Sequence, residues 1–449
     1  MPLSPARSAA FQILLRVERE AAYADELLHS PLLEPLSQPD RNLTTEIVMG
    51  VLRWRSALDS AFSRLLSTPV AKLDLEVLTA LRMGVYQLAF LDRIPRHAVV
   101  HEAVELVKQA RKRSAAGMVN AILRKITPGR AGLPAENEDP AVAFAHPAWL
   151  VEKWTTQFGR EKTAGICRFD QQKPVTALRC RNEDARKLLH AEGIECAPGA
   201  LLKNALVVVS GDVTRSSLFR NSQIAIQDEG SQLVASLISD GNLILDCCAA
   251  PGGKTAAMAD ALPAARIVAA EIHPHRARLL RKMAPQTNVE VITADTLQLP
   301  LAAEFDRVLA DVPCSGTGTL ARNPEIKWKL VPEDLMDLQS RQIAILNAVM
   351  KHVAPGGRLV YSTCSLEVEE NEQVVEACLR TNPDFMIVPA ADELETLQKA
   401  GTLVWKNVNE LVSGNYLRTL PGVHPCDGFF AAIVHHGSKQ NKLATNEHE

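Results

Sequence analysis

Between residues 226 and 434, short apolar runs of strand length alternate with stretches of helical periodicity. The runs fall at 243–247, 266–270, 289–293, 307–310 and 358–361, and each gap has room for a crossover helix. Parallel neighbours need such crossovers. The pattern therefore predicts an open, doubly wound α/β sheet of Rossmann-like type, with ligands at the carboxyl ends of its strands. The apolar run 429–434 is expected to close that sheet as an edge strand, and the polar tail from Gly437 is expected to be disordered.

The remainder reads differently. At 449 residues the chain is too long for one ordinary domain. Residues 4–126 show helical spacing, as in Ala9, Ile13, Leu14 and Val17, then Leu58, Phe62, Leu65 and Leu66, then Val104, Val107 and Leu123. Breaks at 31–39, Thr68-Pro69 and Ile94-Pro95 divide this stretch into an expected six or seven helices, an all-α domain over 1–130. Linker composition follows at 127–147: Pro128, Gly129, Gly132, Pro134, Pro140 and Pro147, with Glu136, Glu138 and Asp139. Residues 147–225 suggest a small α+β domain, with two helical runs, a strand at 175–180, a helix at 183–189 and a strand at 206–209. The third domain is expected over 226–436.

Charge is unevenly spread. The net charge is -3, yet residues 1–130 carry 18 Lys and Arg against 13 Asp and Glu. A basic front on an acidic body suits a polyanion, and it equally suits a solvated surface with no partner. The basic centre is Lys108, Arg111, Lys112, Arg113, Arg124 and Lys125; Lys112 and Arg113 are the residues expected on phosphate. Nine cysteines without a C-x-x-C pair argue against a zinc site or a disulfide framework, so no metal is expected. No apolar run is long enough to span a bilayer, and the first residues lack a secretory pattern. A cytoplasmic monomer without membrane contact is expected.

The first strand of the α/β region runs into Asp246-Cys247-Cys248-Ala249-Ala250-Pro251-Gly252-Gly253-Lys254-Thr255. Small residues at a strand-to-helix turn let a ligand approach the backbone closely. The next strand ends in Glu271, which can accept both hydroxyls of a ribose. The third leads to Asp295, suited to accept from an adenine amine. G-x-G-x-x-G is absent, Pro251 removes a donor that a pyrophosphate would use, and the earlier glycine of a P-loop is missing. A nucleoside without phosphates fits best, and S-adenosylmethionine is one.

The fourth strand leads into Asp311-Val312-Pro313-Cys314-Ser315-Gly316-Thr317-Gly318, and the fifth into Ser362-Thr363-Cys364-Ser365. Both cysteines therefore belong to the ligand edge. Carbon 5 of cytosine is a poor nucleophile until a thiolate adds at carbon 6, which makes carbon 5 enamine-like; a base must later remove the carbon 5 proton. A free thiol is only about 3% ionised at neutral pH, so the site must activate it. Asp311 can hydrogen-bond the cytosine ring nitrogen or amine. Placement alone does not say which cysteine attacks. Cys167, Cys180, Cys196, Cys378 and Cys426 are expected as packing residues, and Cys247 and Cys248 as packing or cofactor-lining ones.

These motifs resemble the RNA 5-methylcytosine methyltransferases, specifically the bacterial RsmB (Sun/Fmu) family acting on 16S ribosomal RNA. Further matching stretches are Arg322-Asn323-Pro324-Glu325-Ile326-Lys327-Trp328, Glu369-Glu370-Asn371 and Asp427-Gly428-Phe429-Phe430. The resemblance implies a class I methyltransferase domain with Cys364 as nucleophile and Cys314 assisting product release. It also implies Cys248, Ala249, Ala250, Pro251, Gly252, Gly253, Lys254, Glu271, Asp295 and Asp311 around S-adenosylmethionine. Glu271 stands where the family more often has Asp. The helical front resembles the NusB-like RNA-binding domain through Ala6-Arg7-Ser8-Ala9-Ala10, Gly50-Val51-Leu52-Arg53, Arg93-Ile94-Pro95-Arg96-His97-Ala98 and Asn120-Ala121-Ile122-Leu123-Arg124. Rival readings are the same chemistry on another RNA, a non-catalytic RNA-binding or antitermination factor, and a DNA cytosine methyltransferase, which would promote Cys314 to nucleophile.

Overall fold

The computed structural model describes residues 3–20, 22–135 and 138–437. The chain divides into two compact units, 1–173 with 320–329, and 174–319 with 330–449.

Six α-helices build the front of the first unit: Pro5–Arg19, Ala24–Leu28, Gln38–Ser63, Leu75–Phe90, Arg96–Gln109 and Ala116–Lys125. Their apolar stripes share one core that includes Ile13, Ile47, Leu58, Phe62, Leu81 and Leu123. The breaks act as expected, with one refinement. Pro39 sits in the first turn of Gln38–Ser63, where its missing N–H is no loss, and Ser37 caps that helix by accepting from the Asp40 N–H. The stretch 127–147 is not open linker throughout. Pro140–Ala143 is a short helix, and Phe144, Ala145 and His146 behind it are buried. Helices Ala148–Phe158 and Arg160–Asp170 complete this unit.

Ten residues from far down the chain, 320–329, belong to the same unit and carry one of the quoted motifs. Glu325 accepts the Ala24 N–H at 2.9 Å, Trp328 Nε1 donates to the Leu52 carbonyl at 2.6 Å, and Arg53 donates to the Ala321 carbonyl at 2.8 Å. The Lys327 ammonium, fully buried, donates to the Arg53 carbonyl at 3.1 Å; burial pulls its pKa down to about 7.

The second unit begins with four strands, β1 (Ala177–Cys180), β2 (Glu195–Pro198), β3 (Ala205–Ser210) and β4 (Ile224–Ile226), in the antiparallel order β2-β3-β1-β4. Strands β2 and β4 give no signal in the sequence reading, being short and lacking clear alternation. Arg179 and Arg181 both reach Asp260 on helix Gly253–Ala261, which anchors this small sheet to its neighbour.

The large sheet holds β5 (Leu243–Asp246), β6 (Arg266–Glu271), β7 (Val289–Thr293), β8 (Phe305–Asp311), β9 (Val353–Thr363), β10 (Phe385–Val388), β11 (Val412–Ser413), β12 (Tyr416–Arg418) and β13 (Phe430–His436). Its order is β11-β12-β13-β9-β8-β5-β6-β7, with β10 also on β13. The strands from β9 through β7 in that order are parallel, and β13 is antiparallel to β9. This is the doubly wound, Rossmann-like architecture. The expected edge position of 429–434 is corrected. β13 is interior, flanked by β9 on one side and by β12 and β10 on the other. Phe430 through Val434 are buried on both faces, which suits an interior strand, and the covering strands are too short to read from the sequence. Apart from Gly437, the tail lies outside the described residues. No helix among the described residues is long and apolar enough to cross a membrane.

Candidate active site

Strand order reverses at β5: the chain goes outward through β6 and β7, then returns to the other side of β5 as β8. The crevice at such a switch point, outside the strand carboxyl ends, is where doubly wound sheets bind ligands. A cleft of about 690 Å³ lies there, in the range of small-molecule sites. Cys248, Ala250, Glu271, Asp295, Asp311, Cys314 and Cys364 all line it.

The loop after β5 is built for a sharp reversal. Gly252 has φ +112° and caps helix Gly253–Ala261; a Cβ there would also lie 2.9 Å from Leu280 Cδ1. Ala249 is buried, Pro251 is exposed and follows a cis peptide bond, and Gly253 opens the helix; none of the three forms the cleft wall, nor do Gly252 and Lys254. Asp246, fully buried, accepts from Thr255 Oγ1 at 2.7 Å. Burial pushes its pKa up to about 7, with the Thr255 bond opposing.

The acids at the next two strand ends have different surroundings. Glu271 is buried and accepts the His273 N–H at 2.9 Å, with Arg276 Nη1 3.8 Å from its other oxygen. Asp295 is exposed and accepts the Leu297 N–H at 2.9 Å, which leaves its remaining lone pairs for a ligand.

Asp311, at the end of β8, accepts from Lys254 Nζ at 2.7 Å and from Ser362 Oγ at 2.7 Å. Burial would lower the Lys254 pKa, but the charge of Asp311 and its hydrogen bond outweigh it and the net shift is upward. The Lys254 ammonium also lies 5.1 Å from the Phe429 ring centroid. Cys314 Sγ stands 3.4 Å from Cys364 Sγ. The hydrogen bond to Cys364, then burial, push the Cys314 thiol well above its usual value. Two backbone bonds brace these loops: the Val312 N–H donates to the Ser362 carbonyl at 3.0 Å, and the Gly318 N–H to the Cys364 carbonyl at 2.9 Å.

The set is acidic and offers acceptors at successive strand ends, which fits a cationic nucleoside such as S-adenosylmethionine. Cys167, Cys180, Cys196, Cys247, Cys378 and Cys426 are buried. Three residues of the site carry no role in the sequence: Ser362, Arg341 and Arg276. The first opens the Cys364 motif and could have been given its role as the register partner of Asp311; the two arginines face the cleft from helices that show no distinguishing pattern.

Residues 235–435 match the model of the family "16S rRNA methyltransferase RsmB/F", residues 4–128 that of the NusB family, and residues 146–214 that of the RsmF/B-like ferredoxin-like domain. The chain is 34% identical to a probable ribosomal RNA small subunit methyltransferase B of Bacillus subtilis, over 96% of this chain and 98% of the relative. It is 32% identical to a protein of the same description from Synechocystis, over 95% and 98%. Among solved structures, that of PH0851 has a TM-score of 0.78 at 21% identity, covering 97% of this chain and 99% of its own; at that identity the likeness concerns the fold.

Proposed function

Because the chain belongs to the RsmB/F family of 16S rRNA methyltransferases, S-adenosylmethionine-dependent enzymes that act on RNA, we propose that it methylates carbon 5 of a cytosine in 16S ribosomal RNA through a covalent adduct on Cys364, with Cys314 serving product release. The observation that carries this reading is the pair of thiols, 3.4 Å apart, in one cleft with Asp311. A structural cysteine needs no such partner, no acid beside it and no access.

S-adenosylmethionine supplies an electrophilic methyl on a sulfonium; Cys248, Ala250, Glu271, Asp295 and Asp311 line the cleft that would hold it. The Cys364 thiolate forms a bond to cytosine carbon 6, and the displaced ring electrons gather at carbon 5 and the ring nitrogen; Asp311, a carboxylate, can accept from the exocyclic amine and so orient the ring. Carbon 5 takes the methyl. Cys314 then removes the carbon 5 proton, the bond from Cys364 to carbon 6 breaks, and aromaticity returns. Lys254, bonded to Asp311 at 2.7 Å, holds that carboxylate in place beside the reacting ring. Cys314, with its raised pKa, starts as a thiol and can donate to the Cys364 thiolate; it gives this first proton to water in the open cleft, then takes the carbon 5 proton as a thiolate, so that one proton is released for each methyl gained. In the same reading residues 1–130 are a NusB-like RNA-binding module, 147–225 a small α+β module and 226–436 the methyltransferase domain.

The test uses wild type, Cys364→Ser and Cys314→Ser with S-adenosylmethionine and small-subunit RNA, followed by denaturing separation of protein–RNA adducts and mapping of the methylated base. Cys314→Ser is expected to accumulate adduct and Cys364→Ser to form none. The opposite pattern would exchange the roles, and adduct from neither would remove the covalent route.

A further inference from the structure

The motif Glu369-Glu370-Asn371 has no part in the methyl transfer itself. Glu370 follows the Cys364 loop, and its side chain is fully buried. One carboxylate oxygen accepts the Ser315 N–H at 2.8 Å and Gln342 Nε2 at 2.9 Å. The other accepts Ser315 Oγ, and Ser365 Oγ at 2.5 Å. Ser315 is the residue after Cys314, and Ser365 is the residue after Cys364. Gln342 also donates to the Pro313 carbonyl at 2.9 Å, so it binds the other side of Cys314. Tyr361 fixes Glu370 from behind, its hydroxyl donating to the Glu370 carbonyl at 2.6 Å.

We propose that Glu370 is a positioning residue that clamps the Cys314 and Cys364 loops together and so sets the spacing of the two thiols. The inference rests on the proposed roles of those cysteines. A buried carboxylate is costly to retain unless its acceptors are filled, and here all the filling donors come from the two cysteine loops and the helix behind them. Neither cysteine lies within a strand. Each sits in a loop beyond a strand end, where backbone pairing alone constrains it less, and a shared acceptor couples the two loops directly. The negative charge of Glu370 also adds to the upward push on the Cys314 thiol, after the hydrogen bond to Cys364 and burial.

Phenylarsine oxide gives a readout independent of methylation. It bridges two neighbouring thiols, forming two arsenic–sulfur bonds and releasing water while arsenic stays trivalent. The relevant capture is the part that Cys314→Ser abolishes. In the full-length protein, Glu370→Ala is expected to lose that capture and to lower kcat about 100-fold, as for a misplacement of roughly 1 Å, with the KM values for RNA and S-adenosylmethionine unchanged. Glu370→Gln keeps an acceptor oxygen, and the serine hydroxyls can turn toward its amide, so it is expected to restore most of both signals. Wild-type capture and turnover in Glu370→Ala would overturn the proposal, as would a Glu370→Gln no better than Glu370→Ala. If Glu370→Ala fails to fold, the Ser315→Ala/Ser365→Ala double variant decides on the same readouts, because it removes both hydroxyl donors and leaves the carboxylate. Wild-type methylation by Cys314→Ser and Cys364→Ser, with capture still lost in Glu370→Ala, would sink the cysteine chemistry and leave the clamp standing.

Discussion

Asp246 offers the sharpest test of the electrostatics under the cofactor loop. Its carboxyl is fully buried, and its pKa is raised from 3.8 to about 7, first by burial. The native state therefore holds this proton more tightly than the unfolded chain does. Between pH 4 and pH 7 the native state binds more protons, so stability falls as pH rises through that window. A shift of about three units corresponds to about 4 kcal/mol in all, at about 1.4 kcal/mol per unit. Asp246→Asn cannot ionise and escapes this loss. Its amide brings a constant cost, because an NH₂ cannot accept the backbone N–H of Cys248 as the carboxylate does, at about 1–3 kcal/mol. That constant drops out when the difference between variant and wild type is followed with pH. Urea unfolding of both proteins from pH 4 to pH 8.5 should show the variant gaining about 4 kcal/mol relative to wild type, nearly all of it below pH 7.5. Parallel curves, with a difference constant to within about 1 kcal/mol, would refute the reasoning and mean that Asp246 is ionised in the native state throughout.

Two further perturbations probe the catalytic loops and the basic front. A Cβ on Gly318 would lie 2.2 Å from the Gly428 carbonyl oxygen and 2.9 Å from that of Cys364, so backbone must move; Gly318→Ala should cost about 1–3 kcal/mol and most of the methylation activity. Gly117→Ala meets open space in a helix and should be neutral or gain up to about 1 kcal/mol, so equal melting shifts for the two variants would contradict the packing argument. Lys112 forms an exposed pair with Asp74 at 3.0 Å, and Arg113 opens a short turn beside it. If both contact phosphate, removing their charges should reduce the slope of log affinity for RNA against log salt by roughly 1.5, and an unchanged slope would show that they do not.

What the sequence made legible was whatever carried a period or a chemical type. The interior parallel strands showed as apolar runs because both their faces are covered, the edge strand β7 showed through its β-branched residues although none of them is buried, and the helical front showed through its stripes. Strands β10, β11 and β12 were illegible because two to four residues hold no period, and their absence made β13 look like an edge. The segment 320–329 was recognisable as a motif, but its place among the front helices was not. Glu325, Lys327 and Trp328 make long-range bonds to the backbone of residues 24, 52 and 53, and no local pattern encodes such a partner. Glu370 was similarly visible as a letter and invisible as a clamp, since its donors lie on segments up to 55 residues away.

The meeting of the two cysteines has a simpler origin than their separation of 50 residues suggests. β8 and β9 are parallel neighbours in the same sheet, and their register pairs Asp311 with Ser362. Cys314 lies three residues beyond the first and Cys364 two beyond the second, so both leave the sheet at one edge and at nearly one height. Three residues against two would place them on opposite sides of a regular pleat if the strands continued. They do not continue: Pro313 cannot extend the ladder, and the loop from Cys314 turns through Gly316 at φ +75°. The sheet thus brings the loops together, and the irregular backbone beyond it turns the thiols toward each other. Substitutions at Pro313 or Gly316 should therefore act on the spacing of the thiols without touching either sulfur.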